Sequence, residues 1–217
     1  MKIAILLYDG FTALDAIGPY EVLSRLPDSS LTFVAQEAGP VRTDNGILTL
    51  LAASAIDELE PPDVVLVPGG PGEVAARAGG AVLDWLRGVH ETSTWTTSVC
   101  TGSLILAAAG VLQGKRATSH WLALEQLGRL GAVPVAERVV FDGKLVTAAG
   151  VSAGIDMALT LAARIAGDQA AQAIQLGIEY DPHPPFDAGS PAKAPADVVA
   201  LLRARSRFEQ GEPASAR

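Results

Sequence analysis

The chain contains one cysteine, and its surroundings are those of a possible nucleophile. Cys100 lies where a β-branched run ends and an Ala/Leu run with helical spacing begins, in "TWTTSVCTGSLILAAAGVL" at residues 94–112. A small residue two positions on, Gly102, would let a strand bend sharply into a helix and lift the thiol above the sheet. The positive end of that helix would favour the thiolate. Because free cysteines are often simply packed in a core, the pattern alone leaves nucleophile and packing about equally favoured.

A thiol enzyme that moves protons needs an acid/base group, and Asp15 is the candidate. It follows the first predicted strand, so a parallel sheet would bring it to the same carboxyl edge as Cys100. Pro19 is favoured in the first turn of a helix, which predicts that the helix begins there and that Asp15 lies in the preceding loop. The alternative is that Asp15 completes a helix cap with Thr12.

Backbone N–H groups at the same edge could stabilise an anionic intermediate. Gly69 and Gly70 follow an apolar strand in a tight turn, and the N–H of Thr101 would point into the space beside Cys100. A purely structural turn fits the spacing of the two glycines equally well.

The three histidines and one cysteine are too scattered for a zinc site, and no metal is expected. His120 stands beside an aromatic residue, which is more typical of a hydrogen-bonded residue behind a site than of a base. His183, between prolines, is expected in a loop or at a pocket rim. The stretch Gly70-Pro-Gly72 follows a later strand than a dinucleotide-binding loop would, and no phosphate-binding Gly-Lys-Ser/Thr motif is present.

The elements that must position these residues alternate between strands and helices, which predicts a doubly wound α/β sheet with helices on both sides. Ser152 is a candidate N-cap and Gly167 a helix end. We expect one domain over residues 1–208 and a flexible tail over 209–217. The predicted strands are 2–8, 31–36, 63–68 and 94–99, the predicted helices are 19–26, 79–91, 102–112 and 152–167, and a hairpin is predicted over 139–150.

Composition excludes several classes of protein. The 217 residues carry a formal net charge of −8, which argues against nucleic-acid binding. No apolar run approaches the roughly 20 residues that span a bilayer. A single cysteine excludes an intrachain disulfide framework, and this fits a cytoplasmic protein.

Several motifs together resemble the ThiJ/PfpI superfamily, the cysteine-nucleophile relatives of class I glutamine amidotransferases. They are "VPGG" at 67–70, "SVCTGSLILAAAGVLQGKRATSHW" at 98–121 and "GVSAGIDMALTLA" at 150–162, and the resemblance extends from residue 1 to about 205. Within the superfamily, "LDAIGPYEVL", "SVCTGSL", "QGKRATSHW" and "PPFDAGSP" resemble the isonitrile hydratases, as does an Asp rather than a Glu after the first strand.

The resemblance implies a flavodoxin-like three-layer α/β/α sandwich with a mostly parallel sheet and a nucleophile elbow. It implies Cys100 as nucleophile, Asp15 as its acid/base partner and Thr101 as a site neighbour. It also implies a homodimer, a small isonitrile as substrate, and no metal or organic cofactor. The alternatives are a cofactor-free glyoxalase or deglycase acting on α-oxoaldehydes, and a non-enzymatic cysteine redox sensor.

Two segments depart from the hydratase pattern as we expect it. "TAAGVSAGID" carries Val151-Ser152 where Ile-Thr is expected, and "YDPHPPF" places Asp181 and His183 where Ala is expected. Both segments are predicted to line the pocket, with Ser152 in contact with substrate and Asp181 and His183 at the rim.

Overall fold

The computed structural model describes residues 1–209, whose main feature is a seven-stranded sheet between layers of helices. The strands are β1 (Lys2–Leu6), β2 (Ser30–Ala35), β3 (Gly39–Arg42), β4 (Thr49–Ala52), β5 (Ser54–Ala55), β6 (Val64–Val67), β7 (Trp95–Val99), β8 (Arg116–Ala117), β9 (Val133–Pro134), β10 (Val139–Asp142) and β11 (Leu145–Ala148). The helices are α1 (Ala13–Leu23), α2 (Glu73–Ala76), α3 (Ala81–Thr92), α4 (Gly102–Ala108), α5 (Leu124–Arg129), α6 (Ala153–Ala166), α7 (Asp168–Gly177) and α8 (Ala196–Ala204).

The large sheet has the strand order β10-β11-β7-β6-β1-β2-β5, and only β10 is antiparallel to its neighbour. Helices α1 and α7 pack against α6, while α3 and α5 pack against α4. All four residues of β6 are buried, as expected of a central parallel strand that is covered on both faces. The predicted mostly parallel α/β sandwich is confirmed.

Helix α1 begins at Ala13, six residues before the predicted start at Pro19. A proline inside a helix removes one backbone hydrogen bond, which is why it is usually found in the first turn. Here Pro19 packs against α6 at Gly154, where an added Cβ would lie 3.1 Å from the proline ring. This close α1–α6 packing offsets the lost hydrogen bond. Asp15 therefore lies in the first turn of α1 and not in a loop.

The turn from β7 into α4 is a nucleophile elbow. Cys100 has a φ of +57°, a left-handed conformation that few residues other than glycine adopt. Its N–H donates to the carbonyl oxygens of Ala148 and Ala149 at 3.0 and 2.9 Å. The Cys100 carbonyl accepts from the hydroxyls of Ser103 and Ser119 at 3.1 and 3.0 Å. The backbone at the nucleophile is thus held from both sides.

Other differences from the predicted elements lie away from the elbow. The β3–β4 hairpin and helices α5 and α7 were not predicted. Ser152 precedes α6 but makes no side-chain cap hydrogen bond, because its helical backbone angles, φ −70° and ψ −17°, are not those of a capping residue. Gly167 ends α6 as predicted. A single domain over residues 1–208 stays a prediction, and residues 210–217 of the predicted tail lie outside the described residues.

Gly102 is the residue that lets α4 approach β6, and its replacement tests the elbow. A Cβ at Gly102 would overlap the backbone carbonyl oxygen of Val67, and neither backbone segment is free to move aside. We expect Gly102→Ala to lower the free energy of unfolding by about 2–4 kcal/mol. The matched control is Gly88→Ala, at a helical position where a Cβ meets nothing within 4 Å. The control should be neutral or stabilising by up to about 1 kcal/mol. Equal effects of the two substitutions in urea unfolding would contradict the elbow packing.

Candidate active site

Three segments meet at the carboxyl edge of the sheet and bring Asp15 to Cys100. They are the first turn of α1, the loop after β6 and the elbow after β7. Asp15 is fully buried, and its Oδ2 accepts a hydrogen bond of 2.9 Å from the N–H of Gly69. A Cβ on Gly69 would lie 2.7 Å from the hydroxyl oxygen of Thr101 and 2.9 Å from Cβ of Cys100. The loop therefore contacts both Asp15 and the elbow that carries Cys100.

The structure gives Gly69 and Gly70 a role that differs from the predicted one. The Gly70 N–H donates to Oγ1 of Thr101 at 2.9 Å, and the Gly69 N–H is engaged by Asp15. Both hydrogens are thus bound within the protein, so they do not face open space as donors to an intermediate. The two glycines hold the carboxylate and the threonine in place.

Burial is the largest influence on the pKa of the Cys100 thiol. It raises the pKa of the Cys100 thiol to about 12, and the negative charge of Asp15 adds to this effect. Hydrogen bonds from the N–H groups of Val151 and Thr101 act in the opposite direction and lower this pKa. The N–H of Thr101 at the start of α4 thus lowers the pKa in the predicted direction, but the loss of solvation outweighs it, and the resting cysteine is a protonated thiol.

Burial also raises the pKa of the Asp15 carboxyl, to about 7, although hydrogen bonds with Gly69 and Cys100 lower it. The negative charge of Asp44 raises it further. Near neutral pH the pair therefore consists of a protonated thiol and a carboxyl group that readily gains or loses its proton. That combination suits a group which transfers protons in both directions.

A cavity of about 670 Å³ lies next to the elbow, and neither Cys100 nor Asp15 is among the residues that line it. It is lined by Ser119, whose hydroxyl binds the Cys100 carbonyl, and by Val151, whose N–H faces the thiol. Trp121 and Leu124 form part of an apolar wall. Among the described residues, the other lining residues are Thr118, His120, Ala136, Glu137, Arg138, Ala149, Gly150, Ser152, Gly189, Ser190, Pro191, Ala192 and Arg203.

His120 and Ser152 both line this cavity. Burial lowers the pKa of His120, and the nearby charge of Arg207 lowers it further. Its Nδ1 accepts from the N–H of Leu122 at 3.3 Å, so the ring supports the cavity wall as a neutral imidazole. The Ser152 hydroxyl accepts from Arg138 at 3.4 Å.

Asp181 and His183 do not reach the cavity. Both side chains are exposed, and Nδ1 of His183 lies 3.3 Å from the backbone carbonyl oxygen of Asp181. The first half of the proline-rich loop points to solvent, and the second half, residues 189–192, supplies the wall. The expectation that these two residues form the pocket rim is therefore wrong.

Sequence reasoning missed two features near the site. Val151 was expected to line the pocket, but not that its N–H would face the thiol; its φ is +22°, and a valine gives no sequence signal for that backbone conformation. Tyr8 is buried and donates from its hydroxyl to the carbonyl oxygen of Pro68 at 2.8 Å. Its place at the end of the first strand was the available signal for a residue at this edge.

Within residues 1–209 there is no group of three or more His, Cys, Asp or Glu side chains that could hold a metal ion. No helix in the same range is long and apolar enough to cross a membrane.

Comparison with known proteins agrees with this geometry. Residues 1–164 match the family described as DJ-1/PfpI. The chain belongs to the DJ-1/PfpI family. A crystal structure of a ThiJ/PfpI family protein from Pseudomonas syringae superposes with a TM-score of 0.92 at 38% identity, covering 96% of this chain and 87% of that one. Drosophila melanogaster DJ-1beta superposes with a TM-score of 0.76 at 25% identity, covering 83% and 98%.

Curated members of the DJ-1/PfpI family have different activities. An isonitrile hydratase of Pseudomonas putida is 46% identical over 206 residues, 95% of this chain and 90% of that protein. A deglycase of Thermococcus kodakarensis is 29% identical over 68% of this chain and 89% of its own length. The resemblance predicted from the motifs is confirmed at the level of the family.

The buried carboxyl of Asp15 makes stability depend on pH. The folded protein binds the Asp15 proton up to about pH 7, whereas an exposed aspartate releases it near 3.8. Folding therefore takes up a proton between these values, and stability falls as pH rises through this window. We expect Asp15→Asn to gain stability relative to the parent from pH 4 to pH 7, by a few kcal/mol at most.

Urea unfolding at several pH values measures this difference, and Asp57→Asn, at an exposed position, is the control. A difference between Asp15→Asn and the parent that stays constant from pH 4 to pH 7 would mean that Asp15 does not titrate as described.

Proposed function

We propose that this protein is an isonitrile hydratase, which adds water to R–N≡C and releases the N-substituted formamide. The observation that carries the proposal is the buried pair of Cys100 and Asp15 at an elbow beside a cavity. It is supported by the 46% identity to the Pseudomonas putida isonitrile hydratase over 95% of this chain.

In the first step the sulfur of Cys100 forms a bond to the terminal carbon of the isonitrile. The Asp15 carboxylate takes the thiol proton and delivers it to that same carbon. The C≡N triple bond becomes a double bond, and the product is the thioimidate R–N=CH–S bound to Cys100. This covalent route divides a slow hydration into two easier additions.

In the second step water attacks the thioimidate carbon. Asp15 accepts one water proton, and the nitrogen gains a proton as the C=N double bond becomes single. The tetrahedral intermediate R–NH–CH(OH)–S then expels the sulfur of Cys100, forming the C=O bond of the formamide, and the thiol is restored with one proton. One carboxyl group thus serves as base and acid in turn.

The cavity favours an apolar R group. Trp121 and Leu124 offer a wall on which a hydrocarbon ring or chain can pack. The Arg138 guanidinium on the cavity wall is ion-paired with Asp156, so its charge is already balanced. Arg203 lies with its guanidinium carbon 5.8 Å from the Trp121 ring centroid.

We also infer a homodimer and a cytoplasmic location. No residue of the described helix α8 is buried, and its Val198, Leu201 and Leu202 are 41, 48 and 46% exposed. A nine-residue helix is too short to be stable by itself, and an uncovered apolar face of this kind suits a second copy of the chain. The reducing cytoplasm keeps a free thiol reduced, which favours that location.

The function is tested by incubating the pure protein with cyclohexyl isocyanide and measuring the N-substituted formamide. We expect turnover in the parent, none above background in Cys100→Ala, and a loss of about 10²–10⁴ in kcat in Asp15→Asn. Because the first step needs the Asp15 carboxylate with the thiol still protonated, kcat/KM should rise with pH through a midpoint near 7 and level off above it.

The control is His183→Asn, an exposed position outside the cavity, which should keep the activity of the parent. Full turnover by Cys100→Ala would overturn the proposal. Consumption of methylglyoxal without glutathione, and no formamide, would favour a deglycase or glyoxalase. Stoichiometric oxidation of Cys100 by mild peroxide, with no turnover of either substrate, would favour a sensor.

The dimer is tested by light scattering on a sizing column. We expect twice the mass of the chain for the parent and a shift toward the single-chain mass for Leu201→Glu/Leu202→Glu, because two buried charges disfavour an apolar interface. The control is Val133→Glu, at another exposed apolar residue, 49% exposed, on β9. A parent that elutes as a single chain at tens of micromolar would refute the dimer.

A further inference from the structure

The segment that follows α8 reaches back to the loop that holds the catalytic pair. Arg207 lies 136 residues beyond Pro71, and its Nη1 donates to the Pro71 carbonyl oxygen at 3.0 Å. Its Nη2 lies 2.8 Å from Oε1 of Glu73, at the start of α2. One guanidinium therefore binds both the loop that follows β6 and the first residue of α2.

Glu73 is a buried ion-pair partner of Arg207 in this contact. Its side chain is fully buried, and its Oε2 also accepts a hydrogen bond of 2.6 Å from Nε of Arg77. A carboxylate removed from water is stable only where cations and hydrogen bonds replace its hydration. Arg207 is two-thirds buried against it, with 33% of its side chain exposed, so this pair is far less screened than a surface ion pair.

The same loop is anchored on its other side by a second long-range contact. The hydroxyl of Tyr8 donates to the carbonyl oxygen of Pro68 at 2.8 Å. Arg207 binds the carbonyl of Pro71, and the two glycines between these prolines supply the N–H groups that hold the carboxylate and the threonine of the site. Fixed carbonyls on both sides leave those N–H groups little freedom to turn away.

We propose that Arg207 is a positioning residue for the active site, which holds the loop at residues 68–72 so that the Gly69 N–H stays on the Asp15 carboxylate. Arg207 touches none of the reacting atoms and acts through the loop. The kinetic part of the test rests on the proposed function, whereas the spectroscopic part does not.

Loosening the loop should shift the pKa of Asp15 in one predictable direction. A hydrogen bond donated to a carboxylate favours the charged form, so weakening the Gly69 donor raises the pH at which Asp15 loses its proton. The other titratable groups that face Asp15 are Cys100, Asp44 and Tyr8, and none of them is changed in the variants below.

The experiment compares Arg207→Met and Arg207→Lys with Arg205→Met in the full chain. Arg205 lies two residues before Arg207, in "RARSR" at residues 203–207, and is exposed, so its variant removes the same charge without touching the loop. The Asp15 titration is followed by ¹³C NMR of carboxyl-labelled aspartate, with Asp15→Asn identifying the signal. Turnover of cyclohexyl isocyanide gives kcat and KM.

We expect the Asp15 midpoint of Arg207→Met to rise by about half a pH unit or more, with a fall in kcat of at least about fivefold and a KM within about twofold of the parent. Arg207→Lys should recover part of both effects, because a single ammonium can bind Glu73 or Pro71 but does not have the two-pronged geometry of the guanidinium. Arg205→Met should match the parent.

An unchanged midpoint in Arg207→Met, or the same shift in Arg205→Met, would overturn the proposal. If Arg207→Met does not fold, Glu73→Gln/Arg207→Met removes both charges, and the same readouts apply to it. A shifted midpoint in a protein that does not hydrate isonitriles would leave the positioning role intact and refute the proposed function instead.

Discussion

The left-handed backbone of Cys100 is the constraint around which the site is arranged. A non-glycine residue in this conformation costs about 1–3 kcal/mol and persists only where its surroundings hold it. Here the end of β11 binds its N–H, and the hydroxyls of Ser103 and Ser119 bind its carbonyl. The bend also brings α4 and the loop after β6 so close together that Gly69 and Gly102 have no room for a side chain. Several segments at the carboxyl edge of the sheet therefore hold the backbone of Cys100 in its left-handed conformation.

Burial then decides where the protons of the site reside. Both Asp15 and Cys100 lie out of water, so the charged forms of both are disfavoured and the two groups compete for a single negative charge. The backbone N–H of Gly69 stabilises that charge on the carboxylate, and those of Val151 and Thr101 stabilise it on the sulfur. Since donors serve both atoms, moving a proton between them requires little rearrangement of the protein.

The sequence predicted the parts of this arrangement that depend on local chemistry. Apolar strands, the β10–β11 hairpin and the small Gly102 after the nucleophile could all be recognised from residue types. The start of α1 could not, because contact with Gly154 outweighs the preference of Pro19 for a first turn. Nor could the exposure of His183, since the direction of a proline-rich loop depends on packing that pattern does not encode. The contact between Arg207 and Pro71 could not be predicted either, because the two residues are too far apart in sequence for any local signal.

The protonation of the pair also bears on which chemistry the thiol performs. A redox sensor needs an accessible cysteine with a lowered pKa, because the thiolate is the form that reacts with oxidants. Cys100 is 6% exposed and its pKa is raised, so both properties oppose that role. An isonitrile, in contrast, must receive a nucleophile and a proton at the same carbon. In the proposed first step the S–H group of Cys100 supplies both. The sulfur is the nucleophile, and Asp15 carries the thiol proton to the same carbon.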